Sequence, residues 1–288
     1  MAITLSQNNY GKSSVRMAKI TRHADHHDFK EVTVNIQLSG DFERVYSDGD
    51  NRRVLPTDTM KNTVYALAQE HSFLTIEEFG LTLAEYFIKN NPQLSSARIE
   101  LIESLWRRVR ISGKGQADQL HPHTFIGGGN EKSTAVITHG NLATSVTSGM
   151  RDLLILKTTG SAFENFLKDK FTTLKEVSDR ILATSLKATW DYEKNDIDFA
   201  GYRKKIRELI IQTFAHHHSL SAQHTLYAVG HAVLEKCSEV SEVHLSMPNK
   251  HYLPVDLERF GMQNKNEIFL PTDEPFGLIE GSLARENN

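Results

Sequence analysis

Val32, Val34, Ile36 and Leu38 alternate with Thr33, Asn35 and Gln37, the period-two pattern of a half-buried strand. The polar face of that strand carries no charge, which suits the lining of a wet channel better than an outer surface. Val15 to Thr21 reads as its partner strand, joined to it through Asp25-His26-His27-Asp28, and Ser39-Gly40-Asp41 and Ser47-Asp48-Gly49-Asp50-Asn51 are turn chemistry. The period then changes. Met60, Thr63, Val64 and Leu67 recur at helical spacing behind Thr57-Asp58, whose side-chain oxygens suit the free N–H groups of a first turn. A second helix is expected from Thr75, with Glu78 three residues on completing a capping box. It buries Ile76, Phe79, Leu83 and Phe87 and stops at Asn90-Asn91-Pro92. Strands follow near 97–111 and 132–139, with His121-Pro122-His123 and Gly127-Gly128-Gly129 between them.

The second half repeats the order. Leu153 to Lys157 and Arg180 to Trp190 read as strands. A helix near 198–217 presents Phe199, Tyr202, Ile206, Leu209, Ile210 and Thr213 to a core. Another, capped by Ser221, buries Leu226, Val229 and Val233, and strands near 240–247 and 265–270 close the half. The pattern predicts an α+β chain of two hairpin–helix–helix–hairpin units, 1–148 and 149–288, divided near Gly149. The repeat is one of pattern and not of sequence. Small antiparallel sheets of this kind have open edges. Joining those edges between subunits into a closed barrel would cover them, so an oligomer is expected.

Composition changes the picture mainly by exclusion. The 288 residues are 39% hydrophobic and 24% charged, as in soluble globular proteins, and can bury a sizeable core. The net charge of -3 gives no basic face for nucleic acid. A single cysteine, Cys237, rules out an internal disulfide framework or a cysteine-built metal cage. The first residues hold no long apolar run, no stretch approaches the roughly 20 apolar residues of a membrane span, and Leu283 to Asn288 is not a peroxisomal tripeptide address. A cytoplasmic location is the expectation.

The Thr57–Leu67 stretch is more polar than packing requires: Thr57, Asp58, Thr59, Lys61, Asn62 and Thr63 crowd two turns. Two readings stand: an N-capped amphipathic helix, or a helix N-terminus presenting a hydroxyl and a carboxylate to a ligand. The fourteen histidines raise metal binding as well. His216-His217-His218 cannot converge on one ion while helical, because successive side chains diverge, and they suit a helix C-terminus better. His26-His27 and His121-x-His123 fall in expected loops, where opportunistic binding is the most they suggest.

Several stretches, in order along nearly the whole chain, resemble the urate oxidase (uricase) family. They are Tyr10-Gly11-Lys12 with Val15-Arg16, the run from Thr57 to Tyr65, Gly160-Ser161-Ala162-Phe163, and Thr172-Thr173-Leu174-Lys175 with Asp179-Arg180-Ile181-Leu182. Ser221-Ala222-Gln223 and Pro248-Asn249-Lys250-His251-Tyr252 complete the set. The resemblance implies the tunnelling fold (T-fold), two such units per chain, homotetramers built around a barrel, and active sites shared between subunits. It implies oxidation of urate by dioxygen and water to 5-hydroxyisourate and hydrogen peroxide, without metal or flavin.

The same resemblance supplies roles. Lys12, Thr57 and His251 would form a proton relay. Phe163 would stack on the purine with Leu174 nearby, and Arg180 would offer a planar donor fork. Gln223 would read the rim of the ring, and the N–H of Ala222 would meet the anion at a helix N-terminus. Asn249 and Thr57 would line the pocket for dioxygen or water, and Asp58 would orient Thr57 or Gln223. Each also has an ordinary reading: core phenylalanine, surface arginine, helix initiation, solvent lysine, N-cap threonine, loop histidine. Pro56 stands where a small residue is expected, and Ala222 where a larger aliphatic one is usual. The rivals are a pterin or GTP enzyme of the same fold, zinc-dependent in some members, and a non-catalytic purine-binding protein.

Overall fold

The computed structural model describes residues 3–112, 118–141 and 143–286. The chain forms two compact units, 1–150 with 191–200, and 151–190 with 201–288. The first contains β1 (Tyr10–Arg22), β2 (His27–Gly40), a short α1 (Glu43–Asp48), α2 (Thr57–Glu70), α3 (Ile76–Asn90), β3 (Leu94–Ile111) and β4 (Gln119–Gly140). β5 (Thr144–Lys157) is the strand along which the chain passes to the second unit, followed by β6 (Leu182–Tyr192), α4 (Phe199–His216), α5 (Ala222–Lys236), β7 (Val240–Pro254) and β8 (Phe269–Ala284). Strand order follows chain order, β1-β2-β3-β4 in the first unit and β5-β6-β7-β8 in the second. No described helix is long and apolar enough to cross a membrane.

In the first unit the alternation read in β2 becomes the core: Val32, Val34, Ile36 and Leu38 are 0–1% exposed. Antiparallel pairing sets Ile36 opposite Ile99 and Val34 opposite Leu101, and β4 brings Ile137 beside Ile99. Met60, Val64 and Leu67 from α2 and Phe79, Leu83 and Phe87 from α3 close over the same cluster. α3 begins with the expected capping box: the Thr75 side chain accepts from Glu78 N–H, and the Glu78 carboxylate accepts from Thr75 N–H at 3.1 Å. In the second unit, Ile206, Ile210 and Phe214 of α4 and Leu226, Val229 and Val233 of α5 are buried. Phe214 takes the interior place the sequence reading gave to its neighbour Thr213.

Several strands run longer than their apolar pattern. β8 extends over Phe269–Ala284 where a strand near 265–270 was expected, and most of its residues are exposed. Its alternation is confined to the C-terminal end, where Ile279, Gly281 and Leu283 are partly buried and the last two lie against Leu226 and Gly230 of α5. Pro271 and Pro275 also argue against a strand interior, and are tolerated because β8 is an edge strand that, among the described residues, pairs with β7 alone. β7 continues to Pro254, so His251 lies in a strand and not in a loop, and His27 and His121 to His123 are likewise in strands. α1 lies between the two expected turn stretches and overlaps the second at Ser47 and Asp48; it has no buried residue, and the buried Phe42 immediately precedes it.

Close approach of α3 to the sheet requires glycine at position 80. A Cβ there would lie 2.3 Å from Ile137 Cδ1 and 2.8 Å from Leu101 Cδ1. Alanine gains roughly 1 kcal/mol of helix propensity against an overpacking cost of about 1–3 kcal/mol. We expect Gly80→Ala to lower the thermal midpoint and Gly80→Val to lower it further; a raised midpoint for either would show that the interface has room to spare.

Candidate active site

In the second unit the segment Gly160–Phe163 is held between two others. On one side Ser219 N–H donates to Gly160 O at 3.0 Å and Ala162 N–H to Ser219 O at 2.7 Å. On the other, Phe163 and Val177 exchange backbone bonds of 2.8 and 3.1 Å, and Arg180 N–H donates to Ser161 O at 2.7 Å. The Asp179 carboxylate clasps the start of the segment, accepting from Thr159 Oγ1 at 2.7 Å, Gly160 N–H at 2.8 Å and Ser161 N–H at 3.3 Å. The Thr159 hydroxyl above all, with the backbone donors, holds its pKa below the usual carboxylate value.

This framework sets Arg180 against Phe163, with the guanidinium carbon 5.3 Å from the ring centre, within cation–π range. Phe166 stacks on Phe163 at 4.9 Å with 12° between the planes. Arg180 is half-buried, and burial pulls its pKa below the ordinary guanidinium value while leaving it a cation. Among the described residues, its Nε and the hydroxyl of the fully buried Ser161 have no hydrogen-bond partner. A buried charged N–H without an acceptor is costly. An anion arriving at the fork would relieve it.

Ser219 also ties this platform to α5, because Ser221, two residues on, is that helix's N-cap and accepts from His224 N–H at 3.1 Å. Ala222 and Gln223, the first two helical residues, have no intrahelical carbonyl for their N–H groups. Ala222 is buried and the Gln223 side chain is exposed. Leu174 is 61% exposed on the chain between Phe163 and Arg180. At the end of α4, His216 Nδ1 donates to Gln212 O at 2.8 Å, the helix-end role expected of that histidine. The partly buried His217 ring lies 4.3 Å from His224, and desolvation above all lowers its pKa.

Asn249 and His251 flank a break in the β7–β8 register. Asn249 faces Gly277 and His251 faces Thr272, so residues 273–276 bow out opposite Lys250, whose Nζ donates to Asp273 at 2.9 Å. Lys12, in the first unit, sits at a similar break. It faces Ile36, and the register then shifts before Val15; Ser14 takes φ 57° and its N–H donates to Asn35 Oδ1 at 2.7 Å. Bulges of this kind re-aim neighbouring side chains. Gly11 is required beside it, because a Cβ there would lie 1.7 Å from the Ile36 carbonyl oxygen.

The Tyr10 hydroxyl accepts from Leu55 N–H at 2.9 Å and so ties the start of β1 to the approach to α2. Thr57 is the first residue of that helix and not its cap. Pro56 holds the cap position and supplies no side-chain bond, since a proline side chain has no acceptor. Asp58 accepts from Lys61 Nζ at 2.5 Å and Asn62 Nδ2 at 3.0 Å, rather than bonding Thr57. The Lys61 pairing lowers the Asp58 pKa, with a smaller contribution from the charge of Lys12.

The structure thus groups Phe163, Arg180, Ala222 and Gln223 by direct or tethered contact in one unit, and Lys12, Thr57 and Asp58 in the other. Sequence reasoning passed over Phe166, although its spacing of three from Phe163 was a usable signal. It also gave Asp179 no role. That clasp joins residues 18–20 positions apart and has no local signature.

Two units of sequential antiparallel strands carrying helix pairs define a tunnelling-fold protein. The sequence model of the Uricase family matches residues 8–138 and 146–280. A uricase from Arthrobacter globiformis is 40% identical over 286 residues, spanning 99% of this chain and 91% of that one. A uricase from Dictyostelium discoideum is 37% identical over 288 residues, 99% of each. The crystal structure of uricase from Arthrobacter globiformis superposes with a TM-score of 0.94 at 40% identity, covering 100% of this chain and 97% of that chain. The chain belongs to the uricase family, a family of urate-oxidising enzymes.

Folding lowers the Asp179 pKa, so its contribution is complete above the ordinary carboxylate value near 4 and is lost as pH falls through the lower folded value. We expect Asp179→Asn to remove that acid limb. It should also speed amide exchange at Gly160 and Ser161 by roughly tenfold at neutral pH, the loss of a charged acceptor discounted for solvent screening. Unchanged exchange at both amides would mean that the clasp does not hold the segment.

Proposed function

We propose that the enzyme oxidises urate by dioxygen and water to 5-hydroxyisourate and hydrogen peroxide, and that Lys12, Thr57 and His251 relay the protons. The observation that carries this reading is the half-buried Arg180, its Nε without an acceptor among the described residues, set over the Phe163 ring. Urate is a flat, delocalised anion with carbonyl and N–H groups around its rim. A stacking face and a planar fork suit it better than a lysine point charge would.

In this reading Phe163 stacks on the purine with Leu174 at its margin, and Arg180 donates to the rim. Gln223 donates and accepts through its amide, and the Ala222 N–H favours the anion at the start of α5. Asn249 and Thr57 line the dioxygen or water pocket. A threonine hydroxyl is no base at neutral pH unaided, so Lys12 takes its proton and His251 passes protons on. Doubly deprotonated urate then gives one electron to dioxygen, the resulting superoxide and urate radical combine into a peroxide at C5, and this leaves as hydrogen peroxide while water supplies the C5 hydroxyl. Urate, dioxygen and water balance 5-hydroxyisourate and hydrogen peroxide with no further reductant.

Lys12, Thr57 and Asp58 come from the first compact unit and Phe163, Arg180 and Gln223 from the second, which we take as the two tunnelling-fold units divided near Gly149. We propose that they meet across subunit boundaries in a homotetramer whose sheets join into a barrel. The open edges of β1 and β8, with Leu270, Phe276 and Leu278 of β8 about half exposed, support that assembly. The unpaired, buried Cys237 suits a reducing cytoplasm.

Loss of urate absorbance and release of peroxide by purified protein, with and without a strong chelator, test the reading. We expect both, unaffected by the chelator; chelator-sensitive activity would instead favour the metal-dependent enzymes of this fold. Lys12→Met and Thr57→Ala should each lower turnover by about 10²–10⁴, the range of general acid–base assistance. Light scattering should find the tetramer unchanged in both. Full turnover in either variant removes that residue from the relay.

A further inference from the structure

The tip of the β1–β2 hairpin holds a cluster that urate oxidation does not use. His23 and His26 stack with ring centres 4.5 Å apart and 25° between the planes, and both direct Nε2 toward Asp28 at the start of β2. His23 Nε2 lies 2.8 Å from Asp28 Oδ2, and His26 Nε2 lies 3.8 Å from Asp28 Oδ1. The backbone supports the tip, with His23 N–H donating to His26 O at 2.9 Å.

The fourth residue gives the cluster its meaning. Asp25 Oδ1 lies 2.8 Å from His26 Nδ1. A carboxylate only accepts, so Nδ1 carries a hydrogen, and in the neutral ring Nε2 then presents a lone pair. That lone pair faces a carboxylate oxygen at a distance too long for a hydrogen bond. Two electron-rich atoms facing one another invite a cation between them. A carboxylate behind a histidine ring is also the outer-sphere arrangement that fixes tautomer and orientation in metal-ligating histidines.

We propose that His23, His26 and Asp28 bind one divalent transition-metal ion of the zinc, cobalt or nickel type, with Asp25 orienting His26 from the outer sphere. The three ligand atoms lie within 4.8 Å of one another. Metal–nitrogen and metal–oxygen distances of about 2.0–2.2 Å need small shifts of these surface side chains, with His23 moving the hydrogen that Nε2 gives to Asp28 onto Nδ1. Two imidazoles and one carboxylate select a borderline ion over magnesium or calcium, which prefer all-oxygen shells. Water completes the tetrahedron. The ion would pin the end of β1 to the start of β2, and binding to the folded hairpin stabilises it by mass action.

The test uses full-length protein stripped of metal, titrated with Zn²⁺ against a chromophoric chelator and with Co²⁺ read by its visible absorption. We expect one ion per chain, lost in His26→Ala and weakened by about 10–100-fold in Asp25→Asn, the usual effect of removing an outer-sphere partner. His123→Ala, which alters the neighbouring His27–His123 and His121–His123 ring contacts, should leave the site intact. Urate turnover should be the same with and without the ion, which separates this site from the catalytic assignment. Binding that survives in His26→Ala, binding lost in His123→Ala, or no binding at micromolar free metal would overturn the proposal.

Discussion

The site depends on one constraint: a permanently charged guanidinium is held partly out of water with a donor unmatched. Arg180 cannot shed its proton to escape burial, as a lysine or histidine would. Its neighbours offer only partial compensation. The Phe163 ring gives its face to the cation, and no protein acceptor among the described residues answers Nε. Such a group is tolerable when the scaffold over-determines its position, and here the backbone does so. Arg180 N–H is bonded to Ser161, Phe163 to Val177, and Asp179 to the start of the same segment. The folded enzyme thus keeps a desolvated donor in place before any anion arrives, which is how preorganised electrostatics gain strength.

The two units use different devices for comparable tasks. In the second, a short segment is stitched between the 177–180 stretch and the approach to α5, so an aromatic face, a fork and a helix N-terminus share one framework. In the first, regular pairing is broken to direct a side chain. The shift after Lys12, with Ser14 at positive φ, interrupts a strand pair that is otherwise in register from Val15 to Arg22. β7 has its own break between Asn249 and His251. The lysine and the histidine assigned to the proton relay therefore both stand where the ladder is irregular. Regular strands give side chains a fixed alternation; bulges are among the few ways to aim one elsewhere.

Pro56 shows how a proline is accommodated at the start of α2. It occupies the cap position of α2 without a side-chain bond, and Thr57 becomes the first helical residue. The threonine hydroxyl is then not committed to capping, which leaves it available for the role proposed for it. Asp58 is bonded locally by Lys61 and Asn62.

Local chemistry was legible from the residues alone. The alternation of β2, the Thr75–Glu78 box, the Ser221 cap and the apolar stripes of α2, α3 and α5 each lie within a few turns or one strand, and each appears in the fold. The family motifs named Phe163, Arg180 and Gln223 as site residues, and the fold ties all three to one framework. What tertiary structure alone decided involves partners far apart in the chain. The Asp179 clasp, the Tyr10–Leu55 tether, the breaks beside Lys12 and His251, the full length of β8 and the unmatched Nε of Arg180 are set by which backbones meet and at what register. Periodicity and capping are encoded by neighbours in sequence. A register shift or an unanswered donor exists only once distant strands have paired.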